Sequence, residues 1–133
     1  MLEVMDIIYV QGGNTFYLLK QMRKSGFDKI IRKLLRKGIV YIGVSAGSIV
    51  AGKTIETSNW KTNEDRFGLI SLKGLNLVNQ NIFVHYKPEH METIKQKSKR
   101  IKKNLRILTD EQALFVFGGK TTLVGEGEAI KIE

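Results

Sequence analysis

Gly38-Ile39-Val40-Tyr41-Ile42-Gly43-Val44-Ser45-Ala46-Gly47-Ser48-Ile49-Val50-Ala51 carries a strand, a tight corner and a helix start in fourteen residues. Ile39 to Ile42 is a short apolar run and reads as a buried strand. Ala46 to Ala51 reads as the start of a helix. At the corner between them, Ser45 stands between Gly43 and Gly47 in the Gly-x-Ser-x-Gly arrangement of a nucleophile elbow. Such a turn holds the serine in strained backbone geometry, which small neighbours permit. Its hydroxyl then stands exposed at the carboxyl edge of the sheet. The free N–H groups at the helix start favour negative charge developing there. A lone serine is a poor nucleophile, so this chemistry requires a base elsewhere in the chain. The plainer reading is a glycine-rich loop that only turns the chain. A phosphate-cradling version of it lacks both the Gly-x-x-x-x-Gly-Lys-Ser/Thr and the strand–Gly-x-Gly-x-x-Gly–helix patterns.

Upstream, Ile7 to Val10 reads as a second short buried strand, followed by a tight loop, Gln11-Gly12-Gly13-Asn14. Asn14 or Thr15 is placed to cap a helix over Thr15 to Lys24 that ends near Gly26. Asp28 to Lys37 predicts another helix, with Gly38 at its C′ position. Strands alternating with helices of this length imply a parallel sheet with helices packed on it, and in such sheets sites form at the carboxyl ends of the strands. Both glycine loops fall there. Thr57 to Asp65 is polar and reads as a loop, and Asn81 to Val84 as a strand closing on His85-Tyr86. Glu89 to Asn104 reads as a basic helix. The tail predicts short strands over Arg106 to Leu108, Ala113 to Phe117, Thr121 to Val124 and Ala129 to Ile132, with turns at Gly118-Gly119 and Glu126-Gly127. The expected fold class is therefore α/β, a mostly parallel sheet flanked by helices with a C-terminal antiparallel meander.

Composition narrows the function. A length of 133 residues suits one domain with a real core. No apolar run approaches the ~20 residues that span a bilayer. The N-terminus has no basic region or cleavage signal, so a cytoplasmic location without membrane attachment is expected. The absence of cysteine excludes disulfides, thiolate catalysis and cysteine zinc sites. The net charge is +9, which raises nucleic-acid binding as a class. The charge has a local origin, however, in Lys20 to Lys37 and Lys95 to Arg106, where Lys and Arg alternate with Ile and Leu at helical spacing. That is the pattern of amphipathic helices with solvated basic faces, and aromatic interleaving is missing, so no nucleic-acid partner is expected.

The chain has two histidines. His85, at the end of an apolar strand, sits where a parallel-sheet site lies, and histidine is the simplest general base near neutral pH. The competing reading is a structural histidine hydrogen-bonded at a strand end. His90, after Pro88 at a helix start, reads as a surface residue. The pair is not spaced as His-Glu-x-x-His and a third ligand is not evident, so neither a metal nor another cofactor is expected.

Three stretches together resemble the peptidase E family of serine peptidases, which includes aspartyl dipeptidase and the related cyanophycinases. They are Ile7-Ile8-Tyr9-Val10-Gln11-Gly12-Gly13-Asn14-Thr15-Phe16-Tyr17-Leu18-Leu19, Tyr41-Ile42-Gly43-Val44-Ser45-Ala46-Gly47 and Phe83-Val84-His85-Tyr86. Leu108-Thr109-Asp110-Glu111-Gln112-Ala113 is also similar to a family segment. The resemblance implies a flavodoxin- or class I glutamine amidotransferase-like sheet and hydrolysis of small peptides. It implies Ser45 as nucleophile, His85 as base, and an oxyanion hole at the N–H groups of Gly13 and Ala46. Gly12, Asn14 and Thr93 are the expected substrate-binding positions. The family's acidic triad member aligns with Trp60, so Asn63, Glu64 or Asp65 is expected to supply that role, with Asp65 favoured. The arginine that holds the substrate carboxylate in aspartyl dipeptidases aligns with Ile94, which neither Lys95 nor Lys87 replaces as a planar bidentate partner. Strict specificity for N-terminal aspartate is thus not expected. Family members also carry an α/β portion ahead of the strand at Ile7, whereas Met1 lies six residues before it here. The chain accordingly reads as an N-terminally truncated member, with exposed sheet edges that another copy in a homo-oligomer would cover. The alternative function is an inactive family member that binds a ligand or partner.

Overall fold

Two short strands, β1 (Ile7–Val10) and β2 (Val40–Gly43), pair in parallel with Ile7 opposite Val40 and Val10 opposite Gly43. The structure, a computed structural model, describes residues 2–132. Between these strands lie α1 (Thr15–Ser25) and α2 (Phe27–Arg36). Asn14 opens α1 by accepting the Tyr17 N–H on its side-chain oxygen. Gly26 ends it in the left-handed region, with φ 82°, where a side chain is costly. α2 ends in a Schellman arrangement: Gly38 N–H donates to Leu35 O and Ile39 N–H to Leu34 O, which satisfies two otherwise orphaned carbonyls. The basic residues of α2 face outward and Ile31 and Leu34 face in, the amphipathic pattern expected of that block.

α3 (Ala46–Ala51) follows β2 directly. The inner face of α1 (Phe16, Leu19, Met22) packs on Ile49 and Val50 of α3 and on Ile55, Leu75, Val78, Ile82 and Leu108. Phe16 is fully buried at the centre of this cluster. Phe16→Ala is expected to destabilise the fold by about 3–5 kcal/mol, read as a lowered denaturant midpoint. Ile31 and Leu34 form a second cluster with Ile8 and Ile39. The opposite face of the β1–β2 pair, with Ile7, Tyr9, Val40 and Ile42, is open to solvent.

A second parallel pair joins β3 (Asn81–Phe83) to β4 (Leu105–Ile107), with Phe83 opposite Ile107. The pairing runs on past the strands: Leu108 N–H donates to Phe83 O and Tyr86 N–H to Leu108 O. Phe83 and Ile107 pack with Trp60 and Ile94 in a third cluster. β5 (Gln112–Phe117) and β6 (Lys120–Gly125) form an antiparallel hairpin. Gly118 and Gly119, both at positive φ, make its turn, as two-residue hairpin loops require. Among the described residues no helix is long and apolar enough to cross a membrane.

Several sequence expectations change. The basic helix over Glu89 to Asn104 is broken into a 3₁₀ turn at Pro88–His90, a short α4 (Met91–Lys97) and a second 3₁₀ turn at Lys102–Asn104. Lys95, Lys99 and Lys103 would stack at successive i, i+4 positions of a continuous helix, and that like-charge repulsion disfavours it. The strand expected over Arg106 to Leu108 is β4, parallel to β3 and outside the meander. The meander is therefore a single hairpin. Glu126-Gly127 makes no hairpin turn, and residues 129–132 form no strand. Instead Ile130 and Ile132 use their side chains to pack against the third cluster.

Candidate active site

The elbow glycines are required by close backbone approach. A Cβ on Gly43 would run into the Gly47 carbonyl, and one on Gly47 into the Val10 carbonyl. Val44 N–H donates to Val10 O (2.9 Å), which ties the corner to β1. Tyr41 Oη donates to Gly47 O (2.6 Å) and Ser48 Oγ to Gly43 O (2.8 Å), clamping the turn from both sides. Burial pushes the Tyr41 phenol above its usual range, which keeps it a neutral donor. Ser45 is left at φ 58°, ψ −115°, a conformation that costs a non-glycine residue about 1–3 kcal/mol.

Ser45 Oγ lies 2.9 Å from His85 Nε2, and His85 Nδ1 lies 2.5 Å from Asp110 Oδ1. A carboxylate only accepts, so Nδ1 carries the proton and Nε2 offers its lone pair to the serine hydroxyl. The three side chains come from the carboxyl ends of different strands. Ser45 follows β2, His85 follows β3 and Asp110 follows β4. Gly12, just past the end of β1, closes the fourth side: a Cβ there would sit 3.2 Å from Ser45 Cβ. The His85 and Asp110 side chains are 50% and 63% exposed, so the group opens to solvent and a bound molecule has access. At such exposure the pair contributes little to stability, and its geometry points to chemistry.

Gly13 has φ 130°, which only glycine adopts readily, and Ala46 is the first residue of α3, so its N–H has no intrahelical acceptor. Asn14 is committed to the scaffold at both ends of its amide. Its oxygen caps α1 and its nitrogen donates to Asp65 O (3.2 Å).

Asp65, the expected triad acid, is placed elsewhere. Its carboxylate accepts the Phe67 N–H (2.8 Å), and its backbone carbonyl accepts from Asn14 at the start of α1. Glu64 accepts from Ser58, and Trp60 is buried in the third cluster. Asp110 stands where the acid was expected. Its sequence signal is the family-like segment Leu108 to Ala113, which by itself assigns it no role. Ile94 is fully buried beside Trp60. Thr93 is half-buried on α4, and among the described residues no hydrogen bond joins it to the serine or histidine. His90 accepts the Lys87 N–H on Nδ1 and packs its ring against Phe83 and Tyr86. Among the described residues no group of three His, Asp or Glu side chains is placed to hold a metal ion.

Comparison with known proteins identifies the family and the fold. An uncharacterized peptidase of Listeria monocytogenes is 32% identical over 117 residues, covering 85% of this chain and 57% of its own length. Peptidase E of Haemophilus influenzae is 47% identical over 58 residues, covering 44% of this chain and 27% of its own. The crystal structure of a candidate peptidase E protein from Listeria monocytogenes superposes with a TM-score of 0.81 at 26% identity, covering 95% of this chain and 62% of that one. The chain thus spans a little over half the length of the first of these relatives. The sequence profile of peptidase family S51 matches residues 1–124, and with the mixed α/β fold and the elbow in place, the chain belongs to that family.

Proposed function

We propose that this chain is a serine-type peptidase acting on small peptides. The observation that carries the reading is the unbroken hydrogen-bonded line from Ser45 Oγ through His85 to Asp110, at 2.9 and 2.5 Å. In this reading Ser45 Oγ attacks the scissile carbonyl while His85 Nε2 takes its proton. His85 then returns that proton to the leaving amine, and the C–N bond breaks to leave an acyl-enzyme. Water, deprotonated by the same nitrogen, releases the acid and restores the serine. Asp110 holds the imidazole in the productive tautomer and stabilises the imidazolium. The N–H groups of Gly13 and Ala46 receive the oxyanion. Gly12 lets the substrate backbone approach the serine, and Asn14 acts by holding the loop that carries Gly13. With Ile94 buried where an arginine would hold a substrate carboxylate, the reading does not require an N-terminal aspartate.

A panel of di- and tripeptides, with and without N-terminal aspartate, tests this directly. Release of free amino acids by the chain, from several N-terminal residues and none by Ser45→Ala, is the expected result. Cleavage confined to aspartyl peptides would contradict the specificity. No cleavage by the folded chain would favour the inactive, ligand-binding alternative.

A further inference from the structure

Lys61 lies outside the Ser45–His85–Asp110 line yet is fastened to the strand end that carries the base. Its Nζ donates to Val84 O (2.7 Å) and sits 4.9 Å from the centroid of the Phe83 ring. Val84 immediately precedes His85, and His85 has φ 57°, a left-handed conformation that is costly for a residue with a side chain. A backbone held in such a state needs fixing on both sides. On the far side, Tyr86 N–H is tied to Leu108 O (3.0 Å). On the near side, the Val84 carbonyl is held by Lys61.

The loop that carries Lys61 is also tied to α1. At its other end Asp65 O accepts from Asn14, Phe67 O accepts from Lys20 Nζ (2.9 Å), and the Phe67 ring packs on Tyr17 at 5.1 Å. The segment 61–67 thus spans from α1, beside the Gly13 loop, to the strand end bearing His85. Burial lowers the Lys61 ammonium below the usual lysine range, while Asp110 first and then Glu64 oppose that shift. The cation therefore also feels the triad carboxylate.

We propose that Lys61 is a positioning residue: by holding the Val84 carbonyl it sets the His85 ring between Ser45 and Asp110, without touching substrate. Its geometric part stands on the structure alone, and its kinetic part rests on the peptidase reading above.

Two readouts separate them. The first is the downfield proton NMR signal of the His85 Nδ1–H shared with Asp110, which needs no activity. The second is the rate at which a fluorophosphonate labels Ser45. Lys61→Met is expected to lose or broaden the downfield signal and to slow labelling about 10- to 100-fold, the scale on which small misplacements of a catalytic group act. Lys61→Arg, which keeps a cationic donor, is expected to recover most of both. Should Lys61→Met fail to show the wild-type thermal transition, Lys61→Gln, also unable to reach Val84 with a charge, repeats the test with the same expectation. A Lys61→Met chain that keeps the downfield signal and labels at the wild-type rate overturns the proposal. A wild-type chain that shows the signal but never labels, while Lys61→Met loses the signal, upholds the positioning role and defeats the peptidase reading instead.

Discussion

Ser45→Ala and His85→Ala are each expected to lower peptide hydrolysis about a million-fold, and the double variant no further, because residues that act as one unit do not add. The measurement is initial-rate hydrolysis of whichever peptide the wild-type chain cleaves best. Stability separates this from unfolding and carries a second expectation. Ser45 sits at φ 58°, ψ −115°, a region that costs about 1–3 kcal/mol and persists only when the surroundings over-determine it. Ser45→Gly relieves that strain. The added freedom of glycine in the unfolded chain takes back about 0.5–1 kcal/mol. The strain is the larger quantity, so Ser45→Gly is expected to be inactive and at least as stable as wild type in a denaturant titration. A Ser45→Gly chain markedly less stable than wild type would mean that the elbow is not under strain.

Asp110→Asn is expected to reduce the hydrolytic rate about ten-thousand-fold while leaving the fold intact. The reason lies in the tautomer. Asp110 Oδ1 accepts the Nδ1 proton of His85, which leaves Nε2 free to take a proton from Ser45. An asparagine that turns its amide toward Nδ1 donates instead. It favours the tautomer with the proton on Nε2, which offers the serine no lone pair. Asp65→Asn is the matched control. Among the described residues its carboxylate accepts the Phe67 N–H in an exposed loop, so the change is expected to shift stability by about 0.5 kcal/mol or less and to leave the rate near wild type. Rates measured side by side on the two variants decide which carboxylate serves the histidine. A large loss in Asp65→Asn with little in Asp110→Asn would reverse the assignment.

That contrast marks where the sequence was legible. Ser45 announces itself through a strand–turn–helix corner bounded by glycines, a local pattern with a local cause. The two close contacts at Gly43 and Gly47 supply that cause. His85 was legible by scarcity and by its place at the end of an apolar strand. The helices α1 and α2 were legible to within about one or two residues at their ends, because Asn14, Gly26 and Gly38 do at each end what their chemistry predicts. Asp110 has no such local signature. It lies 25 residues past His85 and reaches it only because β3 and β4 pair in one register and continue through Leu108. No spacing rule encodes that pairing. Asp65 was attractive because it follows the elbow in the chain, but loop direction is set by tertiary partners. Asn14, Lys20 and Tyr17 draw this loop onto α1. The run after Glu89 misleads for a different reason. Its Ile positions have helical spacing, but the lysines between them repel, and the tertiary core buries only Ile94 of α4.

Covalent labelling decides whether Ser45 is an activated nucleophile. The folded chain is treated with a fluorophosphonate and the adduct is located by mass spectrometry, with Ser45→Ala and His85→Ala alongside. A single adduct on Ser45 is expected, absent from Ser45→Ala and nearly absent from His85→Ala. A folded wild-type chain that takes no adduct, or one that labels equally well without His85, would contradict it.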